Sequence, residues 1–214
     1  MSTLLPDTPQ LLAFISAGLL LNIIPGQDML YVIVQSSSGE LRRALLSALA
    51  IGCGSLFHVA AVGCGLAGLL QAVPLAYEVV RLCGALYLVW LGVGMWRNAA
   101  QEAQPARQGS TASLRAMFLS GMLTNMLNPK VALFFLALLP QFCDPARGRI
   151  GLQLGLLGLI FSVNGTLVLL IVALATVHSS RRLATGQRSR LWLKRIGGTV
   201  LGMLGLRLLL QRAA

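Results

Sequence analysis

The chain has 214 residues, of which 56% are hydrophobic and 11% charged, against about 25% charged in an average soluble domain. That composition excludes a water-soluble globular domain and, at roughly 36 residues per span with its connection, leaves one compact membrane domain of about six spans. Lys and Arg number 17 against 6 Asp and Glu, a formal charge of +11; they lie mostly between apolar runs, which assigns them to lipid headgroups and membrane orientation rather than to nucleic acid.

No Lys or Arg precedes Arg42, so the basic region that opens a signal peptide is missing and the first apolar segment is expected to remain as a span. Uncharged runs of 20 residues (Thr8 to Gln27), 34 residues (Ala44 to Tyr77) and 31 residues (Ile150 to Ser180) can each cross a hydrocarbon core about 30 Å thick. With the intervening apolar stretches they predict six helices, at 9–34, 44–70, 77–97, 112–140, 149–177 and 191–210. The odd connections hold eleven basic residues, including Arg42, Arg43, Arg97, Arg107, Arg115 and the cluster from Arg181 to Arg195, whereas the even connections and the C-terminus hold five. By the positive-inside rule both termini therefore face outward. Residues 98–113, rich in Ala, Gln, Gly and Pro, read as a flexible cytoplasmic linker between two halves, 1–97 and 114–214. The cysteines Cys53, Cys64, Cys83 and Cys143 form no CxxC pair, so neither a metal knuckle nor a disulfide framework is expected.

Two predicted helices carry residues that an uninterrupted span would not. The first contains LNIIPGQDM, with Asn22, Pro25, Gly26 and Asp28; the fourth contains LTNMLNPKV, with Asn125, Asn128, Pro129 and Lys130. Proline removes a backbone donor and clashes with the preceding turn, so each helix is expected to kink or unwind there. The prolines fall roughly 21 and 22 Å along their helices and lie 104 residues apart, near half the chain. A second correspondence joins RLCGALYLVWLG (Arg81, Gly84, Gly92) to RIGGTVLGMLGL (Arg195, Gly198, Gly205). Three spans per half make the repeat inverted, and inverted repeats with discontinuous helices meeting near the midplane are a transporter arrangement.

The LNxxPGxD segment, the GxxxH of Gly54 to His58 and the TNxLNPKVALFFLALLPQF run of residues 124–142 closely resemble the LysE/RhtB family of amino-acid exporters, over essentially the whole chain. The resemblance implies a six-helix protein of the bacterial inner membrane that exports amino acids or their derivatives, usually driven by the proton gradient. The family commonly has a second proline where this chain has Gln27, which bears on the local shape of the first break.

Two roles fit Asp28. A carboxylate at membrane depth costs about 2.5–3.5 kcal/mol on insertion scales, so it faces a cavity or a partner, where it can bind a substrate ammonium or a proton. It also lies in the first turn after Pro25, where it can cap free N–H groups. Lys130 can hold a substrate carboxylate, pair with Asp28, or snorkel. Asn22, Asn125 and Asn128 suit the freed carbonyls at the breaks and also a zwitterionic ligand. His58 suits a proton relay or an interhelical hydrogen bond, and Ser162, Asn164 and Thr166 suit interhelical hydrogen bonding.

The sequence thus predicts an all-α membrane protein of six helices in two inverted three-helix repeats, a secondary exporter of small zwitterionic metabolites working by alternating access. No GxxxxGK[ST] loop is present, which leaves an ion gradient as the energy source. No cofactor is expected; the expected partners are the small-molecule substrate, protons or another coupling ion, and lipid. Two alternatives remain: a channel or scaffold assembling through its glycine faces, which leaves a homo-oligomer open, and an intramembrane enzyme using Ser55 and His58. The latter lacks GxSG, HExxH and an orienting acid.

Overall fold

A computed structural model of the chain describes residues 4–66, 74–97 and 113–179, with isolated positions between 199 and 210. Among these residues the protein is all helical. The helices are Thr8–Ile23 (α1), Gln27–Ser36 (α2), Leu41–Ala61 (α3), Pro74–Arg97 (α4), Leu114–Met126 (α5), Pro129–Leu133 (α6) and Ile150–Ser179 (α7). The predicted sixth span, the linker 98–113, the connection 179–190 and Arg195, Gly198 and Gly205 of the second correspondence lie outside the described residues, apart from positions 113 and 179 and single helical positions within the span.

Local chemistry places the ends. Pro25 disfavours helical geometry at the residue before it, and Ile24 is extended at φ −63°, ψ 120°; Gly26 is extended too, and α2 begins at Gln27 with Asp28 in its first turn. The axes of α1 and α2 meet at 53°. At the second bend α5 ends at Met126 with Leu127 as its C-cap, and Asn128 caps α6 by accepting the Lys130 N–H at 3.0 Å, with Pro129 in the first turn. Proline at that position gives up no helical hydrogen bond. The bend between α5 and the segment Pro129–Phe142 is 42°. Pro140 has no N–H, and the backbone before it widens into a π turn over Phe134–Leu138, then tightens into a 3-10 turn over Leu139–Phe142.

Two continuous helical stretches, Leu41–Gly65 and Ile150–His178, are long and apolar enough to cross a membrane, and each bent pair qualifies when taken together. α3 is the central element, packed against α5 and α7. Its buried face is Ala44, Ser47, Ala48, Ile51, Gly54, Ser55 and His58, a 3-4 spacing of small residues that lets backbones approach closely. A Cβ at Gly54 would stand 2.4 Å from the Met122 carbonyl oxygen and 2.9 Å from the Asn125 Cβ, so the α3–α5 contact requires glycine.

The apolar core forms two layers. One gathers Phe14, Leu21, Val131, Phe134, Phe135, Leu154, Leu157 and Phe161 from α1, α6 with its extension, and the first half of α7. Phe134 stacks on Phe161 at 4.1 Å, and Phe14 meets Phe142 edge-on at 5.2 Å. The other gathers Met29, Val32, Ala44, Ala48, Ile51, Leu169 and Ala173 from α2, α3 and the second half of α7. Ile24 at the first bend and Val131 just past the second belong to the first layer, and Met29 of α2 to the second.

The loop before α7 is tied to the start of the chain. Arg147 donates to Asp7 at 2.6 Å, to the Leu5 carbonyl at 2.7 Å and to Asp144 at 3.0 Å. Buried Gln153 accepts from the Asp144 N–H and donates to the carbonyls of Asp144 and Gly148, so the loop's backbone groups are satisfied from beneath. At the far end of the bundle Tyr31 of α2 donates to the Met117 carbonyl of α5, and Arg43 bonds Gln35. The four cysteines are free.

Candidate functional site

Each bend frees backbone groups that hydrocarbon cannot satisfy, and much of their satisfaction comes from across the molecule. The Lys130 ammonium donates to the carbonyls of Leu21 and Ile24, both at 3.0 Å. A cation thus meets the C-terminal carbonyls of α1, where the helix dipole favours positive charge. The Cβ that Gly26 lacks would stand 3.2 Å from Nζ, so glycine leaves the ammonium its space. Asn125 donates from Nδ2 to Asp28 Oδ2 at 2.9 Å, 97 residues away in sequence. His58 Nε2 lies 3.1 Å from the Asn125 carbonyl oxygen, and a carbonyl only accepts, so this ring nitrogen carries the proton. The His58 ring lies between Phe57 and Phe135, at 5.6 and 5.5 Å.

Asp28, Asn125, Asn128 and Lys130 are therefore brought together, with Pro25, Gly26 and Pro129 shaping the two turns. No ion pair joins Lys130 to Asp28 among the described residues. Asn22 stands on the last turn of α1 facing α7: a Cβ at Gly165 would lie 3.0 Å from its Oδ1 and 3.2 Å from its Nδ2.

Between the two apolar layers is a cavity of about 30 Å³ lined by Asn22, Asp28, Asn125, Ser55, Ser162 and Thr166, with Ile51, Val131, Phe161 and Leu169 bounding it from both layers. That volume admits about two water-sized groups. Among the described residues six buried side-chain atoms have no hydrogen-bond partner within 3.5 Å, and four of them belong to residues lining this cavity: Asn22 Nδ2, Asp28 Oδ1, which the Asn128 amide also approaches, Asn125 Oδ1 and Ser162 Oγ. Buried polar atoms are ordinarily paired; Asn125 and Asp28 bond each other through one atom each, and each keeps a second polar atom at the cavity. Lys130, Asn128 and His58 do not line the cavity; they hold the walls.

The wall supplied by α7 departs from expectation. Thr166 donates to the Ser162 carbonyl of its own helix at 2.8 Å, not across to a neighbour, because the crossing with α3 is too tight: a Cβ at Gly52 would lie 2.4 Å from Thr166 Oγ1. Ser162 and Thr166 thereby join the cavity, as does Ser55, whose hydroxyl bonds the Gly52 carbonyl. The sequence signal was the grouping of Ser162, Asn164, Gly165 and Thr166 within an otherwise aliphatic run; its direction depends on which face of α7 meets the bends.

The profile of the family described as LysE type translocator matches residues 19–212. A homoserine/homoserine lactone efflux protein of Salmonella typhimurium is 32% identical over 64% of this chain, and the match spans 66% of that relative, just under two thirds of its length. A threonine efflux protein of Escherichia coli K12 is 26% identical over 88% of this chain and 91% of its own. A leucine efflux protein of Enterobacter sp. 638 is 23% identical over 85% of this chain and 84% of its own. No solved structure matches.

Proposed function

This chain belongs to the LysE type translocator family, and from that membership together with the geometry of the bends we propose that it exports amino acids or closely related small zwitterionic metabolites across the bacterial inner membrane. Each bent pair is read as one discontinuous span, the halves as inverted repeats, and the proton gradient as the driving force through alternating access. The observation that carries this reading is the convergence of Asp28, Asn125 and Asn22 on one small polar cavity at the two bends. Proteins place ionisable groups at membrane depth where substrates or ions pass, and transporters build such sites from interrupted helices.

The cavity's volume of about 30 Å³ is too small for a whole amino acid, so admitting one requires the helices around it to part. Counterflow in proteoliposomes tests the class: L-homoserine, L-threonine or L-leucine trapped inside is expected to drive transient accumulation of the same labelled compound. A channel equilibrates without overshoot, so a flat time course for all three defeats the carrier reading.

The orientation carries its own test. The connections at 35–43, 98–113 and 179–190 are assigned to the cytoplasm and both termini to the outside by the charge asymmetry. On a cysteine-free background, Gly109→Cys and Gly186→Cys are expected to react with an impermeant maleimide only from the cytoplasmic face. Labelling of either from outside alone reverses the topology.

A further inference from the structure

The unpartnered atoms around the cavity have a pattern. Asp28 Oδ1, Asn125 Oδ1 and Ser162 Oγ can all accept, and Asn22 Nδ2 donates. Asn125 and Ser162 are 3% and 6% exposed, so bulk water does not serve them. The amide of Asn125 is oriented by its own bond to Asp28 Oδ2, which leaves its oxygen as the free end. A primary ammonium has three N–H bonds and one positive charge. Three acceptors, one of them anionic, match it.

Resting on the exporter reading above, we propose that this cavity is a primary-ammonium site: Asp28, Asn125 and Ser162 each accept one N–H of the substrate's unsubstituted amine, and Asn22 turns its N–H toward the carboxylate. Ser162 is the contact that completes the set. It comes from α7, outside both bent pairs, so the long straight helix reads the amine that the bends attract. The volume of about 30 Å³ holds an ammonium and the carbon that bears it. A methyl on the nitrogen both removes one N–H and adds bulk to a space of about 30 Å³. The site therefore selects primary amines over N-alkylated ones, whatever the side chain beyond.

The test uses the full-length protein in proteoliposomes and whichever of L-homoserine, L-threonine and L-leucine exchanges fastest, with its N-methyl and N,N-dimethyl derivatives as competitors. One buried hydrogen bond lost corresponds to about a 10-fold loss of affinity, so the wild type is expected to weaken about 10-fold for the N-methyl compound and further for the dimethyl one. Ser162→Ala removes one acceptor and opens space beside the nitrogen. Its KM for the primary amine is expected to rise about 10-fold with kcat little changed, while its preference over the N-methyl compound narrows to about 2-fold, the signature of a direct contact between the two changed groups. Ser162→Thr keeps the hydroxyl and is expected to retain discrimination. Exchange that is indifferent to N-methylation in the wild type, or an unaltered preference in Ser162→Ala, overturns the site while leaving an exporter. Should Ser162→Ala not insert, the wild-type series decides alone. Absence of any exchange by the wild type removes the exporter reading, and the site with it.

Discussion

Asp28→Asn is expected to abolish gradient-driven export while leaving the protein inserted and folded. The substitution is nearly isosteric, and an amide oxygen at the Oδ2 position still accepts from Asn125 Nδ2, now at 2.9 Å. What it loses is the charge and the ability to take up and release a proton at the cavity. If Asp28 alternates between proton and substrate ammonium, the loss is on the order of 100-fold or more, as for a positioned acid or base elsewhere. Neither Asp28 oxygen caps α2, so the competing reading is a purely structural one, in which the amide oxygen keeps the bond from Asn125 and transport stays near normal. The measurement is export into a proton gradient at matched membrane abundance. Wild-type rates in Asp28→Asn would falsify the coupling role.

Lys130→Met is expected to act on stability first. The methionine has comparable length and apolar surface, but it leaves the carbonyls of Leu21 and Ile24 without the donor that now bonds both at 3.0 Å. Each buried acceptor left unsatisfied costs about 1–3 kcal/mol, so the pair costs on the order of 2–6 kcal/mol. For a domain of this size that lowers the melting temperature by roughly 2–4 °C per kcal/mol. Lys130→Arg is no rescue: the ammonium sits where even a Cβ on Gly26 would be 3.2 Å away, and a planar guanidinium needs more room than that. Thermal unfolding in detergent checks both variants. An unchanged melting temperature in Lys130→Met would mean that the carbonyls find water or another donor, and that Lys130 is held in reserve for substrate.

Much of this protein is legible from local chemistry. An uncharged run long enough to span a bilayer becomes a helix because no other backbone arrangement satisfies its N–H and C=O groups in lipid. Pro25 and Pro129 set where the helical backbone lapses because proline's missing N–H and its clash with the preceding turn act within four residues. Asp28 in the first turn after a lapse, and Asn128 immediately before a proline, follow from the same short-range rules.

Partners are another matter, since a side chain's partner is chosen by whatever the packing brings within 3 Å. Lys130 follows Pro129 much as Asp28 follows Pro25, a symmetry that invites pairing the two charges, yet its ammonium goes to the carbonyls of α1, 109 and 106 residues away in sequence. His58 serves the Asn125 carbonyl rather than a carboxylate. Ser162 and Thr166 face the cavity because Gly52 and Gly165 let α3 and α1 press against α7 at that level, and nothing within a turn of Ser162 encodes that approach. The sequence alone determined the helices, the places where they lapse and the polar groups that had to be sheltered there. Only the tertiary structure decided which of those groups satisfy one another and which are left to meet a ligand, because that depends on distances between segments a hundred residues apart.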